Sequence, residues 1–220
     1  MSTDRSVGRG MTRDDILDAA AQIFSQKGYH GTSMQDIALA VNLQKGSLYH
    51  HVSSKQEILL ELLNRGLDLL IERVNAALEE PASSAEPDSP EEKLRRAMRI
   101  YLQTLAEYQD LAAVLLLEHR SLEPEFHSRH IPRRDRFERI WRDLIVAGQE
   151  SGIFACAHPS LTARALLGVM NWTVTWYHPG GTLSSNEIAE QFANLFLLGL
   201  IARDGAIVDD LAIGRTTEPS

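Results

Sequence analysis

Apolar residues recur at intervals of three and four along most of the chain, which is the spacing of one face of an α-helix. Sustained alternation of apolar and polar residues, the pattern of a half-buried strand, is lacking. The pattern therefore predicts an all-α fold. The first apolar helical face consists of Ile16, Leu17, Ala20, Ile23 and Phe24.

Capping residues indicate where the helices begin and end. Thr12 followed by Asp15 is typical of a helix start, and Gly28 is placed to end that first helix. Ser54 and Glu57 have capping-box spacing for a long fourth helix. The Pro- and Ser-rich residues 79–90 predict an exposed loop. Beyond it, the pattern predicts helices near 91–107, 109–121, 132–151, 160–177 and 185–203.

Two short helices are predicted between the first and fourth, opening at Thr32 and at about Gln44. Asn42 lies in the turn between them, and asparagine tolerates the left-handed backbone region better than other non-glycine residues. This arrangement is typical of a helix-turn-helix. We therefore expect a three-helix helix-turn-helix domain at 1–55, a larger helical domain at 56–205, and a tail at 206–220.

The net charge of −8 does not exclude DNA binding, because the acidic excess is confined to one part of the chain. Residues 1–55 carry six Lys or Arg against five acidic residues, and the remainder carries 16 against 25. The single cysteine, Cys156, forms no internal disulfide and is expected to pack in a reducing cytoplasm. The N-terminus has no apolar core of a signal peptide and no apolar run is long enough to span a bilayer, so we expect no membrane partner.

The segment GYHGTSMQDIALAVNLQKGSLYHHVSSKQEIL, residues 28–59, resembles the signature region of the TetR family of transcriptional regulators. It departs from the usual pattern at Asn42, where glycine is common, and at Val52, where phenylalanine is usual. The resemblance implies an operator-binding surface, with Lys45 reaching a guanine edge or a phosphate and Gly46 allowing close approach. Ser33 and Tyr49 also have a purely structural interpretation, as a cap and a packing residue. The residues expected to contact double-stranded DNA are Thr32, Ser33, Gln44, Lys45, Gly46, Ser47, Tyr49, His50 and Lys55.

The last two long helices have apolar residues on more than one face, so we expect them to be buried both in their own bundle and against a partner. The resemblance implies that 56–205 is an effector-binding and dimerisation domain. It also implies a homodimer that joins these helices in a four-helix bundle and reads a palindromic operator. A large monomeric core is the alternative. The predicted dimer-interface residues are Leu166, Val169, Phe192 and Phe196.

The segment WTVTWYHPGGTLS, residues 172–184, resembles the TetR branch that responds to acyl-CoA thioesters. This likeness implies an effector site containing Trp172, Trp176 and Tyr177, with Arg133 and Arg134 near the CoA phosphates. A salt-bridged surface is the other interpretation of the two arginines. An effector that binds better to the conformation with splayed DNA-binding domains would release the repressor from DNA, which is the family's usual direction. A co-repressor is the alternative and would obey the same thermodynamics. A multidrug-sensing repressor with a promiscuous apolar pocket is the alternative function.

The sequence contains no recognisable catalytic motif, which argues against an enzyme and against a cofactor. One cluster of acidic residues and histidines has a metal-binding interpretation, but its spacing matches no standard site. We expect no metal there and interpret the cluster as a solvated loop face. It consists of Glu118, His119, Glu123, Glu125, His127 and His130.

Overall fold

The computed structural model describes residues 11–80 and 89–201, and within these residues the fold is all-α, as predicted. Short 3-10 turns follow the sixth and eighth helices, at His119–Ser121 and Thr173–Thr175. None of the helices in this part of the chain is long and apolar enough to cross a membrane. The predicted tail at 206–220 lies outside the described residues. The helices are α1 (Arg13–Lys27), α2 (Met34–Ala40), α3 (Lys45–Leu48), α4 (Lys55–Glu79), α5 (Pro90–Glu107), α6 (Gln109–Leu117), α7 (Pro124–Glu150), α8 (Pro159–Trp172) and α9 (Ser185–Leu200).

The first compact unit, unit 1, combines residues up to 69, of which the structure describes those from 11 onward, with residues 108–134. Helices α1, α2 and α3 belong to it, and α6 packs against α1. The hydroxyl of Ser25 in α1 donates to Asp110 Oδ1 in α6 at 2.5 Å. A Cβ placed on Gly66 of α4 would lie 3.1 Å from Leu115 Cδ2, so glycine allows α4 to approach α6 closely. Unit 1 is therefore built partly from a segment that is distant in sequence, residues 108–134.

The second compact unit, unit 2, combines residues 70–107 with residues 135–220, of which the structure describes 70–80, 89–107 and 135–201. Its main packing is between α5 and α9. Arg95 Nη1 donates to Asn194 Oδ1 at 2.7 Å across these helices. The end of α9 forms an isolated antiparallel bridge between Ile201 and Phe154. The division between units 1 and 2 falls within α4 and α7, whereas the expected domain boundary at residue 55 falls at the first residue of α4.

The helix starts show where capping signals are reliable and where they are not. Thr12 and Asp15 form the predicted reciprocal capping box. Helix α7 begins at Pro124, so the prediction of a start near 132 is wrong, and Pro132 lies inside the helix. A proline without an N–H cannot bond the carbonyl four residues earlier, on Ser128. Because Ser128 and Pro132 are both exposed, water can hydrate that carbonyl and the helix continues.

Candidate nucleic-acid interface

The turn between α2 and α3 has the backbone conformation that the sequence predicts. Asn42 has φ of 55° and is the only non-glycine residue with positive φ among the described residues. The amide of Leu43 donates to the carbonyl of Ala38 at 2.8 Å, which closes the turn. Ile37 and Leu48 are fully buried beneath the two helices. The orientation of α3 is therefore set by a tight turn and a packed core.

The outer face of α3 and its flanking residues is polar and exposed. Lys45 and His50 project from it, and Tyr49 is 46% exposed. A Cβ placed on Gly46 would meet no atom within 4 Å, so the fold itself does not require glycine there. Gln44 is also exposed and does not cap the helix, while Ser47 is half-buried. This surface can offer hydrogen-bond donors and one lysine charge to a nucleic acid.

Thr32 and Ser33 precede α2, but only Ser33 is on the surface. Thr32 is 2% exposed and its hydroxyl donates to the carbonyl of Gly28 at 2.9 Å. This position contradicts the expected DNA contact through the Thr32 side chain. Ser33 caps α2 in a reciprocal box with Asp36, and hydrogen bonds from Ser33 hold the pKa of the Asp36 carboxyl below its usual value.

Lys55 lies at the first position of α4, and its ammonium group is directed into unit 1. Its Nζ donates to the carbonyl of Thr32 at 2.7 Å and to the carbonyl of Tyr29 at 2.9 Å. The same atom lies 4.2 Å from the centroid of the Tyr29 ring. These contacts fasten the segment before α2 to α4. They give Lys55 a positioning role within unit 1.

Arg13, which the sequence analysis did not single out, links three parts of unit 1. Its Nε donates to the two carboxylate oxygens of Glu61 at 2.9 and 3.0 Å, and its Nη1 donates to the carbonyl of His51. The hydrogen bond with Glu61 raises the pKa of Arg13. Helix α1 is thereby joined to α4 and to the residues after α3. The partners lie 38 and 48 residues away in sequence, so no local pattern could have indicated them.

Polar contacts join the first half of α4 to the start of α7. Arg133 Nε donates to both carboxylate oxygens of Asp68 at 3.2 Å. Arg129 Nη1 contacts Glu57 Oε2 at 3.1 Å. Arg133 therefore has an ionic partner within unit 1, and both it and Arg134 are exposed. This geometry favours the salt-bridged interpretation of the arginine-rich segment.

His130 departs from the expected solvated loop face, because it lies in α7 and is 4% exposed. Its Nδ1 lies 3.1 Å from Asn64 Oδ1. Burial, together with the nearby charge of Arg134 and the neighbouring His119 and His127, lowers the pKa of His130 to about 4. Among the described residues, no three His, Cys, Asp or Glu side chains are grouped as metal ligands would be.

The three aromatic residues expected in the effector site lie near the end of α8 in unit 2. Trp172 is 64% exposed, Trp176 is 44% exposed and Tyr177 is half-buried. Unit 2 also contains an aromatic cluster that the sequence analysis did not identify. It consists of Tyr101, Phe137 and Trp141, whose ring centroids are 5.5 to 6.2 Å apart. Trp141 is completely buried.

The residues predicted for a dimer interface differ in exposure. Leu166 is 0% exposed within a single chain, so it belongs to the core of unit 2 and not to an interface. Val169 is 37% exposed, and Phe192 and Phe196 are half-buried. Helical periodicity could not show which apolar face is inward. The large apolar residues that are most exposed on α8 and α9 are Leu161, Trp172, Leu195 and Leu198.

Two family models match the chain, and together they cover most of it. Residues 16–62 match the bacterial regulatory proteins of the tetR family. Residues 87–200 match the tetracyclin repressor-like C-terminal domain. The first match contains α2, α3 and the turn between them, and the second contains α5 to α9.

Individual relatives are similar over nearly their whole length. The HTH-type transcriptional repressor KstR2 of Rhodococcus jostii is 30% identical over 203 residues, covering 90% of this chain and 95% of the relative. The structure of the ketosteroid transcriptional regulator KstR2 of Mycobacterium tuberculosis has 27% identity and a TM-score of 0.75, covering 89% of this chain and 98% of that one. AibR in complex with isovaleryl coenzyme A and operator DNA has 28% identity and a TM-score of 0.73, covering 86% and 97%.

Proposed function

Because the chain belongs to the TetR family of DNA-binding transcriptional regulators, we propose that it is a homodimeric repressor released from a palindromic operator by a small-molecule effector. It is not an enzyme, since the family and the relatives are regulators. A repressor of bacterial genes acts where the DNA is, which places it in the cytoplasm. The observation that carries the proposal is the exposed polar face of α3 on a closed turn.

We assign the base and phosphate contacts to the exposed residues around α3. Lys45 and Gln44 can reach base edges, and Gly46 allows the backbone to approach the groove. Tyr49 and His50 are placed for phosphate contacts, with Ser47 at the edge of the same surface. Ser33 presents the capped N-terminus of α2. Thr32 and Lys55 support this surface from beneath without contacting DNA.

A homodimer is supported by the apolar residues that α8 and α9 leave exposed. Leu161, Val169 and Trp172 follow one another at helical spacing along α8, and Leu195 and Leu198 do so on α9. A soluble chain seldom exposes so many large apolar residues on two neighbouring elements without a partner. We propose that a second copy covers them. Two heads joined in this way would read two half-sites, which one short recognition helix could not do with useful specificity.

The dimer is tested by comparing Leu195→Asp with wild type in sedimentation and in operator binding. Leu195 is 65% exposed, so the substitution should leave the fold of one chain intact while it places a charge in the interface. We expect monomers with a wild-type circular dichroism spectrum and greatly weakened operator binding. Leu166→Asp is the contrasting variant and should unfold unit 2, because Leu166 is completely buried. A dimeric Leu195→Asp protein would contradict the proposed interface.

We propose that the effector is an acyl-CoA thioester. The support is the similarity to AibR, which has been crystallised with isovaleryl coenzyme A and operator DNA, together with the aromatic segment at 172–184. Helix α4 runs without interruption through residues of both units, which suits it to carry a change in one unit to the other. An effector that prefers the conformation with low DNA affinity must weaken DNA binding by the same factor by which DNA weakens effector binding.

The function is tested by selecting duplexes from a random pool and titrating the selected operator with candidate effectors. We expect a palindromic site, and release by acyl-CoA thioesters with a dependence on chain length. Release by cationic drugs alone would favour the multidrug-sensing alternative. If the pool yields no enriched duplex, DNA recognition by α3 is wrong. Lys45→Met is the matched variant, since it removes an exposed charge from α3 without touching the core.

A further inference from the structure

Trp141 carries a buried hydrogen-bond donor that nothing in the described part of the chain satisfies. The residue is 0% exposed, and its Nε1 has no hydrogen-bond partner. Trp141 is positioned on one face of α7 with Phe137 and Ile145, which are also buried. An indole N–H donates only, and leaving such a group unpaired in the interior is costly. Buried groups of this kind are uncommon and call for a specific explanation.

The buried hydroxyl groups of unit 2, by contrast, have partners. Tyr101 Oη, in the ring cluster with Trp141, donates to Asn171 Oδ1 at 2.5 Å. The buried hydroxyl of Thr104 donates to the carbonyl of Ile100 at 2.7 Å, and that of Thr173 donates to a carbonyl within its own turn. Trp141 therefore differs from these hydroxyl groups, because its donor is enclosed on a completely buried side chain and has no acceptor.

The surroundings of Trp141 restrict the chemistry of a partner. Its ring contacts are with Tyr101 and Phe137, which are uncharged aromatic side chains. Among the described residues of unit 2, none of the fully buried side chains is charged, although the half-buried Arg96 has an enclosed Nε. A buried carboxylate or phosphate would need a cation or several donors to replace its water. A neutral oxygen needs only one donor, so an apolar molecule with a carbonyl group fits this environment.

We propose that Trp141 Nε1 donates a hydrogen bond to a neutral carbonyl oxygen of the effector, a thioester or ring ketone, held against the Tyr101–Phe137–Trp141 cluster. This inference rests on the effector-dependent function proposed above and names the recognition element within it. Aromatic side chains give an apolar ligand a large contact area, and the single donor fixes its orientation. The charged part of any CoA ester would remain outside this cluster.

The test is the indole N–H spectrum of the full-length protein, labelled with nitrogen-15. The chain has three tryptophans, so it gives three indole signals, and the Trp141→Phe variant identifies the one of interest. If that variant does not fold, Trp172→Phe and Trp176→Phe identify the signal by elimination. The probes are octanoyl-CoA, the octyl-CoA thioether that lacks its carbonyl, and androstenedione, a ring diketone without CoA.

We expect the carbonyl probes to move the Trp141 indole proton downfield and the thioether to leave it in place. A signal that is already downfield and protected from exchange before any probe is added would overturn the proposal, and so would failure of both carbonyl probes to move it. A response to androstenedione but not to octanoyl-CoA would keep the Trp141 assignment while removing acyl-CoA as the effector.

Affinity provides a second readout. Phenylalanine at position 141 keeps an aromatic ring and removes the donor, so Trp141→Phe should raise the Kd for the carbonyl probe by roughly tenfold, without a similar loss for the thioether. If Trp141 had only a structural role, its substitution would weaken the binding of both ligands equally. Trp176→Phe is the comparison, because the aromatic segment also predicts an effector contact there. If only the Trp176 variant discriminates carbonyl from thioether, Trp141 is not the donor.

Discussion

Replacing Lys55 by methionine tests whether this residue positions the DNA-binding surface or contacts DNA itself. The ammonium group donates to the carbonyls of Tyr29 and Thr32 at 2.9 and 2.7 Å and lies over the Tyr29 ring. Methionine retains most of the apolar stem and leaves both carbonyls without this donor. Losing charge-assisted hydrogen bonds at a half-buried site should lower the free energy of unfolding by about 2 kcal/mol. Operator affinity should fall as well, because the segment leading into α2 loses its attachment to α4.

The salt dependence of operator binding separates the two roles. Each lysine that neutralises a phosphate contributes about 0.9 to the slope of log K against log salt. Because the Lys55 ammonium group donates to carbonyls of its own chain and is held away from phosphate, Lys55→Met should leave that slope unchanged. Lys45→Met is the matched control: Lys45 is exposed on α3, so its loss should weaken binding with little change in thermal stability. A fall in slope of about one per subunit for Lys55→Met, with an unchanged melting temperature, would refute the positioning role.

Three further predictions follow from single residues. Gly46→Ala should raise the free energy of unfolding by about 0.5 kcal/mol, because a Cβ there meets no atom and alanine favours the helix. The same substitution should weaken operator binding roughly tenfold in a mobility-shift titration. Below pH 6.5 His130 takes up a proton in the unfolded chain, whereas in the folded state, where its pKa is lowered to about 4, it stays neutral. The free energy of unfolding should therefore fall by about 2 kcal/mol between pH 7 and pH 5 in chemical denaturation, and His130→Gln should not show this loss. Gly148→Ala would place its Cβ 2.0 Å from the Phe154 ring and should lower the melting temperature, with partial recovery on adding Phe154→Leu.

Features that depend on a few neighbouring residues could be predicted from the sequence. The reciprocal hydrogen bonds of Thr12 and Asp15 are local, and so is the positive φ of Asn42. Both require only that a particular side chain occur at a particular offset from a helix end. The all-α fold could be predicted from apolar periodicity, and the helix-turn-helix from the short spacing around Asn42 together with the family resemblance.

Features that depend on packing between distant segments could not be predicted. Helical periodicity identifies α8 as apolar on several sides, but it does not say that Leu166 faces inward while Trp172 remains exposed. The charge of Lys55 predicts attraction to phosphate, and only the fold shows that its ammonium group donates to two backbone carbonyls of the same chain. His130 illustrates the same limit, since polar sequence neighbours predicted exposure and the packing of α7 buried it.

The composite construction of unit 1 has a consequence for how the protein is made. A ribosome finishes α1, α2 and α3 early, but Asp110, the α6 partner of Ser25, is added much later, and so is Leu115, which closes on Gly66. The nascent head should therefore remain only partly formed until residue 134 has been synthesised and has left the ribosome. A repressor assembled in this order should not acquire a competent DNA-binding surface while its own chain is still short.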